Sequence, residues 1–252
     1  MRHGAYHFKR LTDARNYNAF NLYLMTSEAD VQAGLQIGVK SALAVGFPKL
    51  DPAFDGTMTP MYINQMRNRL HLPQNKPVLL FTATYDSSGM SGIAFWYDRL
   101  SALTNQYAVL VTLHPWISDT YRQIIKQTEG AWLIEDYDIV PYICLADVCI
   151  GDTSSILAEC CALDKPMLTW KVERAKRSLD EIEQILDKIS HRLQSFDDLF
   201  ELIPYALHHR EELAPQRAQA NRVFYDRLAG KAGQRAADAI TKLLPELEKD
   251  SG

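Results

Sequence analysis

Ala146-Asp147-Val148-Cys149-Ile150-Gly151-Asp152-Thr153-Ser154-Ser155 is the stretch on which the fold turns. Asp147 to Ile150 reads as a short apolar strand, Gly151 to Ser155 as a polar turn, and Ile156 to Leu163 as the helix that follows. Lys165-Pro166 then opens another strand, Met167 to Trp170. Strand, turn, helix, strand is the unit of a parallel sheet with right-handed crossovers. Upstream the same alternation continues. Val78 to Thr82 is a strand bounded by Pro77 and by the loop Asp86-Ser87-Ser88-Gly89, and an amphipathic stretch runs from Ile93 to Leu103. Tyr107 to Leu113 is a strand apolar on both faces that stops at His114-Pro115. A helix over Ser118 to Gln127, a strand at Trp132 to Ile134 and a helix over Ile139 to Leu145 complete an α/β reading. It has five parallel strands covered on both sides.

Further out the pattern thins. Strand candidates stand at Leu22 to Met25 and Leu43 to Val45, Tyr62 to Leu70 is helical, and His71 to Pro77 reads as a proline-bounded linker. The tail is read as three helices, Leu179 to Arg192, Phe196 to Leu207 and Gln234 to Leu247. This divides the chain into residues 1–72, a Rossmann-like unit over 73–228 and a terminal helix over 229–252.

Composition narrows the function. The chain has 252 residues, is 47% hydrophobic and carries 27 basic against 31 acidic side chains, a net charge of −4. That balance supplies no basic field for nucleic acid. The longest apolar runs, such as Pro77 to Phe81, fall far short of the ~20 residues that cross a bilayer. The opening residues Met1 to His7 lack the apolar core of a secretory signal. Cys144, Cys149, Cys160 and Cys161 lie in or beside apolar stretches and form no C-x-x-C pair, so they read as reduced core thiols in a cytoplasmic protein. Neither a metal site nor a cofactor is expected.

In an open parallel sheet, ligands bind beyond the carboxyl ends of the strands. Three groups pass that filter. Asp152-Thr153-Ser154-Ser155 opens a helix whose N–H groups and partial positive charge suit a phosphate. Simple capping by Asp152 or Thr153 is the plainer reading, but two more hydroxyls exceed what a cap requires. His114 can donate to a phosphate or move a proton, or it merely ends a strand. Thr82-Ala83-Thr84, with the loop through Gly92, lets backbone approach a ligand closely. His3, beside Gly4, would by itself read as an exposed and idle histidine.

Taken in order, these groups resemble the CDP-glycerol glycerophosphotransferase family, the teichoic-acid polymerases and primases of GT-B fold. The resemblance rests on His3-Gly4 with Lys9, on Gly46-Phe47-Pro48-Lys49-Leu50-Asp51, on Phe81-Thr82-Ala83-Thr84 and on His114-Pro115. It continues through Ala146 to Ser155 with Lys165-Pro166, and ends at Asp226-Arg227-Leu228-Ala229-Gly230-Lys231-Ala232. Thr153 stands where the family usually has Tyr, and Ala83 where it usually has Pro. His-Gly belongs deep in that family's N-terminal lobe, so the resemblance implies a GT-B-like chain with an incomplete N-terminal lobe. An exposed apolar patch or a partner is then expected where strands are missing.

The resemblance also implies the chemistry: an acceptor hydroxyl attacks the β-phosphorus of CDP-glycerol and releases CMP. His3 would be the general base and His114 would steady the diphosphate, with Thr84, Asp152, Thr153, Ser154 and Ser155 around the substrate. The acceptor would be a polyol phosphate or a lipid-linked primer at the inner face of the cell membrane. Lys171 to Arg177, with four basic residues beside Trp170, is a modest interfacial candidate and reads more simply as a solvated helix face. Two other readings stand beside this one. One is a GT-B nucleotide-sugar glycosyltransferase or 2-epimerase, with Glu159 as its ribose ligand; the other is a nucleotide-binding fragment without turnover.

Overall fold

A computed structural model describes residues 11–172 and 181–250, the side chains of 245–250 excepted. The strands are β1 (Tyr23–Met25), β2 (Ala42–Ala44), β3 (Val78–Ala83), β4 (Ala108–Leu113), β5 (Ala131–Ile134), β6 (Val148–Gly151), β7 (Met167–Trp170) and β8 (His191–Leu193). The helices α1 (Ala14–Asn18), α2 (Glu28–Gln36), α3 (Asp51–Phe54) and α4 (Pro60–Arg69) precede the larger sheet. Within and after it come α5 (Ser101–Thr104), α6 (Asp119–Gln127), α7 (Val140–Leu145) and α8 (Ile156–Ala162). The chain then adds α9 (Glu181–Ile189), α10 (Leu199–His208), α11 (Ala214–Phe224) and α12 (Ala232–Asp250).

Six strands form one parallel sheet in the order β5-β4-β3-β6-β7-β8. The order runs outward from β3 in one direction and, after β6, outward in the other. This is the doubly wound arrangement, and its switch point lies between β3 and β6. Alternate strand residues feed two cores. Val78, Leu80, Leu110 and Cys149 join one face, while Leu79, Phe81, Val111 and Ile150 join the other. Burial on both faces is why these strands are continuously apolar. Gly151 is a glycine because β6 ends hard against β3: a Cβ there would lie 2.6 Å from Thr82 Cγ2.

The structure has six strands in this sheet, not five. Leu179 to Arg192 is not one helix: α9 ends at Ile189 and β8 pairs in parallel with β7. Ile93 to Leu103 keeps its helical burial rhythm, with Ile93, Trp96, Leu100 and Leu103 all buried. Its backbone instead strings together short turns, Trp96 N to Ile93 O, Arg99 N to Trp96 O and Leu103 N to Leu100 O, before the one-turn α5. Hydrogen bonds of i→i+3 type satisfy the apolar spacing without an extended helix. Helix α11, with Pro215 in its first turn, was not expected at all.

The second sheet is small: β1 and β2 pair in parallel over three residues each. Tyr17, Met25, Val31 and Val39 form its core, while Phe20, Leu35, Ile37 and Leu43 are exposed. On this two-stranded parallel sheet Leu43 leaves apolar surface uncovered.

Among the described residues the cysteines are unbridged, with Cys149, Cys160 and Cys161 buried and Cys144 half-buried. Burial raises the pKa of the Cys144 thiol, pushes Cys160 well up and lifts Cys161 to about 12. Thiolate is the reacting species. A disulfide reagent at pH 8 should therefore label Cys144 slowly, spare the other three, and count four thiols after unfolding. Rapid labelling of two or more in the native protein contradicts this packing.

Candidate functional site

Because β3, β4 and β6 are adjacent and parallel, their carboxyl ends share one edge of the sheet. Thr84 follows β3, His114 follows β4 and Asp152 follows β6. The His114 N–H donates to Ala83 O at 3.3 Å, which continues the ladder one step past the strands. With neighbouring strands ~4.8 Å apart, β4 and β6 lie only ~10 Å from each other across β3. His114 and Ser155 therefore stand at the same end of the sheet.

Asp152 organises this edge. It is fully buried, and its carboxylate accepts from Thr84 N at 2.9 Å, Thr84 Oγ1 at 2.8 Å and Gly92 N at 2.9 Å. On its own side it accepts from Thr153 N at 2.6 Å and Ser154 N at 3.0 Å. Burial raises the pKa of the Asp152 carboxyl, and the donors from Gly92, Thr84 and Thr153 pull against that rise. An enclosed carboxylate with its oxygens taken anchors two loops across the switch point. It is not placed to meet a phosphate.

The hydroxyls divide in the same way. Thr84 and Thr153 are buried; Thr84 donates to Asp152, and Thr153 Oγ1 lies 3.5 Å from Met90 O. Ser154 and Ser155 are part-exposed at the start of α8, where Ser154 Oγ accepts from Ile156 N at 3.4 Å and Ser155 is the N-cap residue without a side-chain cap bond. Capping therefore uses Asp152 and Ser154. Ser155 is left at the rim.

His114 is fixed by its surroundings. Trp116 N–H donates to His114 Nδ1 at 3.1 Å, so Nδ1 is the acceptor nitrogen and Nε2 carries the proton of the neutral ring. Tyr85 packs against the imidazole with ring centroids 4.8 Å apart, and exposed Trp116 closes the trio at 5.4 Å. Ser118 N and Oγ donate to Asp86 at 3.0 and 2.5 Å, tying the loop after β3 to the loop after β4. The Ser118 hydroxyl holds the Asp86 carboxyl below its ordinary range. The sequence reading took Tyr85 and Asp86 only as part of the loop through Gly92 and passed over Trp116; their position just past strand ends was the available signal.

Glu159 is buried, and its carboxylate accepts from Lys49 Nζ at 2.7 Å. Burial pushes its pKa up and the Lys49 charge opposes this. The acidic group on which a nucleotide-sugar reading depends is thus already engaged by a lysine. His3, Lys9 and the basic residues Arg174, Lys176 and Arg177 lie outside the described residues. Among the described residues no cluster of His, Cys, Asp and Glu is arranged to hold a metal ion, and no helix is long and apolar enough to cross a membrane.

Comparison with known proteins meets this geometry. Residues 9–242 match the family described as CDP-Glycerol:Poly(glycerophosphate) glycerophosphotransferase. The teichoic acid poly(ribitol-phosphate) polymerase of Bacillus spizizenii is 22% identical over 240 residues, covering 90% of this chain and 38% of that protein. The teichoic acid glycerol-phosphate transferase of Staphylococcus aureus is 24% identical over 229 residues, covering 84% of this chain and 57% of that protein. Among solved structures, the wall teichoic acid polymerase TagF superimposes with a TM-score of 0.75 at 17% identity, over 97% of this chain and 68% of that one. The fold is of GT-B type, and this chain spans 38% and 57% of these two teichoic acid enzymes.

Proposed function

The chain belongs to the CDP-glycerol:poly(glycerophosphate) glycerophosphotransferase family, and from that premise we propose that its switch-point edge binds CDP-glycerol and transfers glycerol phosphate to a hydroxyl acceptor. The observation that carries this reading is the joining of the β3 and β6 loops at Asp152, with the β4 loop bonded to the β3 loop through Ser118 and Asp86, and with His114 and Ser155 on one edge. TagF has been solved after soaking with CDPG, which supports a cytidine diphosphate donor here.

In the proposed step an acceptor oxygen bonds to the β-phosphorus, the bond from that phosphorus to the bridging oxygen breaks, and CMP leaves with the electron pair. The acceptor's proton passes to a base, the role assigned to His3 by resemblance. His114 Nε2–H donates to the diphosphate as negative charge gathers on it, a contribution worth more in the transition state than in the ground state. Ser154 and Ser155, with the first N–H groups of α8, hold the phosphates, and Asp152, Thr84 and Thr153 hold the loops that present them. Residues 1–72 would form the remnant of the N-terminal lobe, 73–228 the nucleotide-binding lobe and 229–252 the closing helix. The acceptor is a polyol phosphate or a lipid-linked primer met at the inner membrane face.

Incubation of the 252-residue protein with CDP-glycerol and a polyol-phosphate acceptor should release CMP; no release, with no CDP-glycerol binding by calorimetry, defeats the proposal. Ser155→Ala should raise KM for CDP-glycerol more than it lowers kcat, because a rim hydroxyl binds ground and transition states alike. A fall in kcat at constant KM would instead place Ser155 at the reacting phosphorus.

A further inference from the structure

Six residues between the two sheets, Gly46-Phe47-Pro48-Lys49-Leu50-Asp51, make bonds in several directions. Gly46 has φ +87°, and a Cβ there would lie 2.7 Å from Arg235 Nη2 and 3.1 Å from Ala232 Cβ. Its neighbour Val45 accepts from Arg235 Nε at 2.8 Å. Phe47 stacks on Tyr225 with centroids 6.0 Å apart. The Asp51 carboxylate caps α12 by accepting from Ala232 N at 2.9 Å and Gly233 N at 2.7 Å. These contacts lock the connecting segment to the end of the chain. Lys49 points the other way, to Glu159 on α8.

Glu159 lies four residues beyond Ser155, so both fall on the same face of the helix start. The far end of α8 is fastened within the larger layer, where Asn221 Nδ2 donates to Cys161 O at 3.0 Å. Its near end carries Ser154 and Ser155, and Lys49 reaches Glu159 there from the segment between the two sheets. We infer that Lys49 is a positioning residue: through Glu159 it ties the first turn of α8 to the segment joining the two sheets, and so sets the orientation of the proposed phosphate-binding turn. The inference rests on the proposed function for its ligand but not for its geometry. Glu159 is the buried partner and Lys49 is half-buried. An ion pair that takes a carboxylate out of water adds little net stability over apolar side chains of similar size, because desolvation offsets the attraction. Its presence at this place is better accounted for by orientation than by stability.

The test uses Lys49→Met together with Lys49→Met/Glu159→Met, in which no buried carboxylate is left unpaired, and Lys49→Arg as the charge-conserving control. The double variant should keep the parent's Tm while binding CDP-glycerol on the order of tenfold more weakly, the scale of effect expected from small misplacement of a binding group. Amide exchange at Ser154 to Leu157 should speed up in both methionine variants, and Lys49→Arg should restore affinity and exchange together. Parent-like affinity and parent-like exchange in the double variant overturn the inference. Should the parent itself bind no CDP-glycerol, the functional proposal fails, and the exchange rates still decide the role of Lys49.

Discussion

A His114→Ala protein should turn over CDP-glycerol ~10²-fold more slowly or worse, since one preorganised donor aimed at developing charge is worth ~3 kcal/mol. The imidazole is unusually well determined for that task. Its Nδ1 accepts from Trp116 N–H, its ring lies against Tyr85, and the loop that carries it is tied through Ser118 to Asp86. A group so held loses little on entering the transition state, because no reorganisation is needed at the moment of reaction. The loss should appear in kcat, with KM for CDP-glycerol little changed, as for an interaction made mainly in the transition state. His114→Gln should recover part of the rate, since a glutamine amide can place an N–H near the position of Nε2. If the alanine variant keeps near-parent kcat, His114 is a strand terminator and the diphosphate lies elsewhere.

Asp152→Ala should have the largest effect on the folded state, about 3–5 kcal/mol in urea unfolding. Removing the carboxylate leaves the N–H groups of Thr84, Gly92, Thr153 and Ser154 facing a void, and the Thr84 hydroxyl without its acceptor. Each buried donor left unmade costs ~1–3 kcal/mol, and only partial relaxation brings the sum down to the stated range. Asp152→Asn keeps the shape but turns two hydrogens toward a set of donors, so it should also destabilise, though less. A midpoint within error of the parent for Asp152→Ala would mean that water fills the place of the carboxylate and that the loops do not depend on it.

The strands β3 and β4 were legible because both faces are buried, so their sequences are apolar without interruption. The helix starting after Ser155 was legible from its polar turn, and the sheet-edge rule picked out His114 and Thr84. β8 was not legible for the opposite reason. His191-Arg192-Leu193 is an edge strand whose arginine is satisfied by Thr169 and Glu183, so polar residues stand where an apolar run would signal a strand. Asp152 was read as a cap or ligand contact; it does cap the turn, through Thr153 N and Ser154 N, and it is also a buried anchor for the loop after β3. Its donors Thr84 and Gly92 come from 68 and 60 residues away, and local spacing carries no trace of such partners. The Lys49–Glu159 pair, 110 residues apart, was hidden in the same way.

The reversal of strand order at β3 and β6 also governs how this molecule comes into being. The turn after β6 is bonded through Asp152 to the loop after β3, and more than sixty residues, with β4, α6, β5 and α7 among them, intervene. Neither half of the sheet alone can form this edge, because the loop after β3 supplies donors whose acceptor, Asp152, lies after β6. Closing so long a loop is slow relative to forming local turns. The β3 loop and the β6 turn therefore reach their bonded state together, when the second winding of the sheet docks on the first, and lose it together when that docking is undone.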